Sequence, residues 1–207
     1  MTTHLQSLIQ RYPDLEACLP DIQRAYELLA TAFQNGGKLL LCGNGGSAAD
    51  ADHWAGELLK GFEHPRPLSP EARQGLPPEM AARLQWAFPA IPLTAFPAFT
   101  TAFSNDVEPE YIFAQLVLAL GRPGDVLAAL STSGNSSNVC RAAEVARAKG
   151  LKVLGLTGEG GGRLADLCDL CIRVPASRTL EIQELHLPVY HTLCLLIEDE
   201  FFSCLTH

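Results

Sequence analysis

Apolar positions follow two alternating rhythms along the chain. Ile22, Tyr26, Leu29 and Phe33 recur at helical spacing, and Asn35-Gly36-Gly37 ends the repeat, as glycine ends an amphipathic helix. Beyond it, short apolar runs at residues 38–42, 91–95, 125–130, 152–156 and 170–174 alternate with stretches long enough for helices. Each run is continuous rather than alternating, as in strands buried on both faces. The pattern predicts an α/β fold: a three-layer sandwich around a five-stranded, mostly parallel, doubly wound sheet. Ligands in such sheets sit beyond the carboxyl ends of the strands.

The rhythm breaks at residues 63–89. Glu63-His-Pro-Arg-Pro-Leu-Ser-Pro70 and Leu76-Pro-Pro78 are proline-rich, and a short helix is expected at 79–86. This is too long for an ordinary connection between strand and helix. A lid, an oligomer contact and a plain solvent-exposed elaboration all fit it. The chain is read as one domain, 1–207, with N-terminal helices in 1–36 and an insertion at 63–89. No internal repeat or low-complexity tail is present.

Two loops at expected strand ends are unusual. Ser131-Thr-Ser-Gly-Asn-Ser-Ser-Asn138 is built only from Ser, Thr, Asn and Gly. A helix N-terminus offers unpaired N–H groups and partial positive charge, and hydroxyls add further donors. Ser131, Thr132, Ser133 and Ser136 thus form a candidate phosphate nest. A plain helix cap needs one such residue, not seven of eight. Gly43-Asn-Gly-Gly-Ser47 follows the first run. It partly fits a dinucleotide fingerprint, but the acidic residue about 20 positions on, Glu63, falls in the proline-rich segment rather than on a strand. A simpler role is that Gly45 and Gly46 let the backbone approach a polar ligand.

Composition narrows the class. Hydrophobic types make up 47% of the 207 residues, enough for one sizeable core. No run reaches the roughly 18 apolar residues of a membrane helix. The N-terminus lacks the layout of a secretion signal. Formal charge is −8, with 15 basic and 23 acidic residues and no basic stripe, which argues against nucleic acid as a partner. The seven cysteines are scattered, several in apolar runs, as expected of reduced thiols in a cytoplasmic protein. Cys168-Asp-Leu-Cys171 matches a C-x-x-C spacing, but no second pair accompanies it, so a zinc or redox role is not expected there.

Two helices carry the candidate chemistry. His53 and Glu57 lie about 40° apart on the helix after the glycine loop. Near the chain's end, Gln183 and His191 share a side of a long apolar helix, within about 80°, while His186 projects elsewhere. Pro188 is expected to remove one helical hydrogen bond and bend this segment unless it falls in the first turn. Two histidines, a glutamate and a glutamine could bind a divalent metal such as zinc. Glu57 and His191 could instead be an acid–base pair, and ordinary polar helix faces are the bland alternative.

Taken together, the motifs resemble the sugar-isomerase (SIS) domain family, and within it the phosphoheptose isomerases. The likeness runs from about Leu39 to Phe202. Its carriers are Gly43-Asn-Gly-Gly-Ser, His53-x3-Glu57, Ser104-Asn-Asp106, Gly124-Asp-Val-Leu, Ser131-Thr-Ser-Gly-Asn-Ser136, Leu156-Thr-Gly and Ile182-Gln183-Glu-x-His-x4-His191. The resemblance implies interconversion of sedoheptulose 7-phosphate and D-glycero-D-manno-heptose 7-phosphate, with Glu57 as base and His191 as acid. It implies phosphate contacts from Ser131, Thr132, Ser133 and Ser136, and other substrate contacts from Asn44, Gly45, Gly46, Glu57, Asn105, Asp106 and Gln183. It implies zinc held by His53, Glu57, Gln183 and His191, and a homotetramer with active sites between subunits. The chain departs from the family in its long segment after Phe62 and in Pro188, which leaves the sugar open. Two rivals remain: an isomerase of another phosphosugar, and a non-catalytic SIS module that binds phosphosugar or a replication initiator.

Overall fold

The computed structural model describes residues 3–202. Strands form where the apolar runs are continuous: β1 (Leu39–Cys42), β2 (Ala90–Pro92), β3 (Val126–Leu130), β4 (Lys152–Thr157) and β5 (Leu170–Arg173). They make one sheet in the order β2-β1-β3-β4-β5, with every pairing parallel. The order reverses between β1 and β3. That places the glycine loop and the hydroxyl loop side by side at the switch point, where open α/β sheets hold their ligands.

The helices are α1 (Thr3–Arg11), α2 (Leu19–Gln34), α3 (Gly46–Leu59), the one-turn α4 (Pro70–Arg73) and α5 (Pro78–Ala81), α6 (Pro97–Asp106), α7 (Ile112–Leu120), α8 (Ser137–Ala148), α9 (Gly162–Leu167) and α10 (Thr179–Phe202). Successive strand side chains point to opposite faces, and so β1, β3 and β4 each feed two cores. Leu39, Leu41, Val126, Ala128 and Leu154 pack with α1, α2, α3 and α10. Leu40, Cys42, Leu127, Ala129 and Val153 pack with α7, α8 and α9. These are the three layers expected from the continuous runs.

Two expected elements differ. The run at 91–95 yields a strand only to Pro92. Proline lacks an N–H for the ladder and is tolerated because β2 is an edge strand; the chain turns directly after it, with Leu93 N–H still donating to Leu41 O at 2.8 Å. The helix expected at 79–86 shrinks to α5. Trp86 N–H donates to Arg66 O at 2.8 Å, and its ring joins Phe88, Phe201 and Phe202. The antiparallel bridge of Gln85 with Pro67 and these Trp86 contacts take residues 84–86 out of helical conformation.

A buried ion pair anchors the start of the insertion. Arg66 and Glu198 are both fully buried, Nε to Oε1 at 2.7 Å. Glu198 also accepts from the backbone N–H groups of Phe62, Glu63 and His64 at 2.7–2.9 Å. Arg66 donates to the carbonyls of Leu58 at 2.7 Å and Glu57 at 3.2 Å, two acceptors in the last turn of α3 that have no partner within the helix. Burial would raise the Glu198 carboxyl, but those three N–H groups and Arg66 outweigh it and hold it below its usual range. The insertion is therefore fastened to the ends of the two helices that carry His53, Glu57 and His191. Pro188 sits inside α10, which continues through it; Thr192 Oγ1 donates back to Pro188 O at 2.8 Å.

All six described cysteines are free; Cys204 lies outside the described residues. No described helix is long and apolar enough to cross a membrane.

Candidate active site

The hydroxyl loop begins where β3 ends, with Ser131 N–H donating to Leu156 O at 3.0 Å. Gly134 has a φ of +67°, and a Cβ there would lie 1.9 Å from Gly161 O. Only glycine lets the loops after β3 and β4 press together backbone to backbone. The Ser131 and Ser136 hydroxyls stand 2.9 Å apart. Ser136 occupies the position before α8, yet its side chain makes no capping bond, so capping does not explain the loop's hydroxyls. Beside them is a cleft of about 280 Å³ lined by Asn44, Pro109, Glu110, Ser136, Ser137 and Asn138. Asn44 and Asn138 exchange two amide hydrogen bonds at 2.8 and 2.9 Å across it.

The glycine loop approaches a protein group first. A Cβ on Gly46 would fall 2.5 Å from Gln183 Nε2, so the missing side chain admits the Gln183 amide from α10. Gly45, at φ +57°, precedes the first turn of α3. Along α3, Asp50, His53, Trp54 and Glu57 follow the i, i+3, i+4, i+7 stripe that faces α10. Trp54 is fully buried and stacks on the fully buried Tyr190, ring centroids 5.6 Å apart.

His53, Glu57 and His191 come together. His53 Nε2 is 3.2 Å from Glu57 Oε1 and 3.5 Å from His191 Nε2. Glu57 Oε2 accepts from Lys60 Nζ at 2.6 Å. Burial alone would raise the Glu57 carboxyl; Lys60 and His53 outweigh it and lower its pKa below the ordinary value, so it stays ionised at neutral pH. Burial, then the electrostatic influence of the neighbouring His53 ring, lowers the pKa of His191. Its imidazole is neutral at pH 7 and keeps one N–H to donate. His186, as expected, faces away: it is buried, and its Nε2–H donates to Thr157 O at 3.3 Å.

The donor chemistry fits a divalent metal. Two ligands of one tetrahedral zinc stand about 3.3 Å apart, given bonds of about 2.0–2.1 Å, and both separations around His53 Nε2 are close to that. Among the described residues, no group of three or more His, Cys, Asp or Glu is preformed as a metal cage; His53 is the shared member of two pairs, and Lys60 holds one Glu57 oxygen. Gln183 makes no hydrogen bond to these side chains. Asn105 and Asp106 lie exposed at the end of α6, bonded to each other at 2.8 Å, with no bond to either cluster among the described residues.

Sequence reasoning missed Asp50, Tyr190, Lys60 and Asn138. Asp50 was detectable as the first member of the His53–Glu57 stripe. Asn138 closes the hydroxyl run and was visible as such. Tyr190 gave no signal beyond its place next to His191.

A hydroxyl-rich loop at a sheet switch point, in a fold that also brings a carboxylate and two imidazoles together, suits a phosphosugar-handling α/β protein, and the comparisons agree. The SIS domain model matches residues 96–194, and a second SIS domain model matches residues 5–74. The phosphoheptose isomerase of Rhodospirillum rubrum is 47% identical over 187 residues, 90% of this chain and 89% of that one. That of Aneurinibacillus thermoaerophilus is 40% identical, covering 97% and 93%. Among solved structures, a phosphoheptose isomerase from Francisella tularensis superposes with a TM-score of 0.78 at 35% identity, covering 95% of each chain. The chain belongs to the phosphoheptose isomerase family of SIS-domain enzymes.

Proposed function

We propose that the protein interconverts sedoheptulose 7-phosphate and D-glycero-D-manno-heptose 7-phosphate through an enediol, Glu57 acting as base and His191 as acid. The observation that carries this is the approach of Glu57 and His191, from two distant segments, to the same atom of His53. The Glu57 carboxylate removes a proton from C1 of the ketose. The C1–H electrons form the C1=C2 bond, and O2 takes a proton from His191 as the C2 carbonyl opens. Glu57 then returns the proton to C2, while the O1 hydroxyl gives its proton back to His191 and the C1 aldehyde forms. An ionised carboxylate and a neutral imidazole suit these roles near neutral pH. The hydroxyl loop, through Ser131, Thr132, Ser133 and Ser136, anchors the phosphate, and Asn44, Gly45, Gly46, Gln183, Asn105 and Asp106 contact the sugar. That anchoring orients the reacting carbons.

His53, Glu57, Gln183 and His191 are the residues proposed to hold zinc, whose chemistry when bound is polarisation of a carbonyl oxygen. A homotetramer with sites between subunits belongs to the same reading; the isolation of Asn105 and Asp106 within one chain supports it. Free thiols support a cytoplasmic setting.

A panel of ketose phosphates in D₂O tests the reaction. Sedoheptulose 7-phosphate should yield the aldose with deuterium at C2; neither product nor exchange with this sugar would refute the reading, and preference for another sugar would favour the rival phosphosugar isomerase. Chelation should abolish activity and zinc should restore it. Full activity after complete metal removal removes zinc from the account.

A further inference from the structure

Tyr190 is fully buried, and its hydroxyl is the meeting point of two side chains of α3. It lies 3.3 Å from Asp50 Oδ1 and 2.9 Å from His53 Nδ1. The His53 and Tyr190 rings meet edge to face at 5.6 Å, and Trp54 stacks on the tyrosine's face at an interplanar angle of 15°. The ring is thus clamped, and its hydroxyl has few directions open. A phenol has one proton to give. That proton goes to Asp50 Oδ1, which accepts from the hydroxyl. The hydroxyl oxygen then accepts from His53, and His53 Nδ1 must carry a hydrogen. Its other nitrogen, Nε2, is the atom aimed at Glu57 Oε1 and His191 Nε2.

We infer that Tyr190, oriented by Asp50, is a positioning residue that holds the hydrogen of His53 on Nδ1 and so presents Nε2 to Glu57 and His191. The inference rests on the reading of His53 as part of the site. A ring nitrogen placed against a carboxylate oxygen and a second imidazole is a place for a cation, either a proton or a metal ion. Histidines that serve metals are commonly fixed in this way through the opposite nitrogen. Here the fixing group is a tyrosine from the helix that also carries His191, so one element sets Tyr190 and His191 against His53. Asp50 Oδ2 is buried without a partner; the carboxylate is committed through its other oxygen, Oδ1.

The experiment is ¹⁵N-histidine NMR of the whole protein, with His53 assigned by the signal missing from His53→Gln. In wild-type protein, metal-free or zinc-loaded, His53 should show a protonated Nδ1. A bare Nδ1 with the hydrogen on Nε2 overturns the inference, and this measurement needs no further variant to fold. Tyr190→Phe should then shift His53 towards the Nε2–H form and weaken binding of zinc itself by about 10- to 100-fold, with circular dichroism reporting the fold. An unchanged His53 spectrum and zinc affinity in a folded Tyr190→Phe would equally sink it. A bare Nδ1 in an enzyme that still isomerises the heptose phosphate rejects the positioning role of Tyr190 alone. Failure of the sugar panel with Nδ1 protonated rejects the isomerase reading alone.

Discussion

Glu57 and His191 differ in how their surroundings set their charge. The first is kept ionised by Lys60 and His53 against partial burial, and the second is kept neutral by burial and the neighbouring His53. Glu57→Gln and His191→Ala should each lower turnover by about 10²- to 10⁴-fold, the usual contribution of a positioned acid or base. Both side chains border the site rather than the core, so thermal unfolding should stay close to the parent's. Turnover within about twofold of the parent in either variant would contradict the base and acid roles, given that usual contribution. His53 and Glu57 were legible because a spacing of four is a local property of one helix. Tyr190 was not, because a tyrosine's hydrogen-bond partner is set by whatever stands opposite it. His53 is 137 positions away.

Among the elements, the least legible was the proline-rich insertion. Its prolines and turns were plain, but Arg66 reads as one more surface charge until Glu198 is placed beside it, 132 positions on. The structure makes these two residues the bolt between α3, the insertion and α10. Breaking a buried pair from one side costs about 3–5 kcal/mol. The two sides are unequal. Arg66→Met leaves Glu198 bonded to three backbone N–H groups, and should fall near the low end, about 3 kcal/mol. Glu198→Leu strands a buried guanidinium and those N–H groups together, and should lie near the high end, about 5 kcal/mol. Urea unfolding measures both, and a reversed order would show that the three N–H bonds are not what holds the segment.

For the molecule as a whole, acid should loosen the fold through His186. Burial lowers its pKa from 6.5 to about 4, and the bond to Thr157 O only partly opposes this. Between those values the unfolded chain binds a proton that the native chain does not. Stability is therefore full above pH 6.5 and falls as the pH drops towards 4, by about 3 kcal/mol at most. Urea unfolding across that range should show the decline in the parent and a flatter profile in His186→Gln. An identical slope in the two proteins would place the effect elsewhere. On the same scale, the strands, their alternation with helices and the two ligand loops were readable from the chain, because continuous apolar runs and glycine- or hydroxyl-rich turns act over a few neighbours. Strand ends were less so: β2 stops at Pro92 because the chain turns there, and its edge position tolerates the missing donor. By itself the sequence determined the layers and the loops. Only the tertiary structure decided that β1 lies beside β3, that His53 stands between Glu57, His191 and Tyr190, and that Arg66 meets Glu198. Each of these depends on contacts between distant segments, and no local pattern encodes which residue will face which.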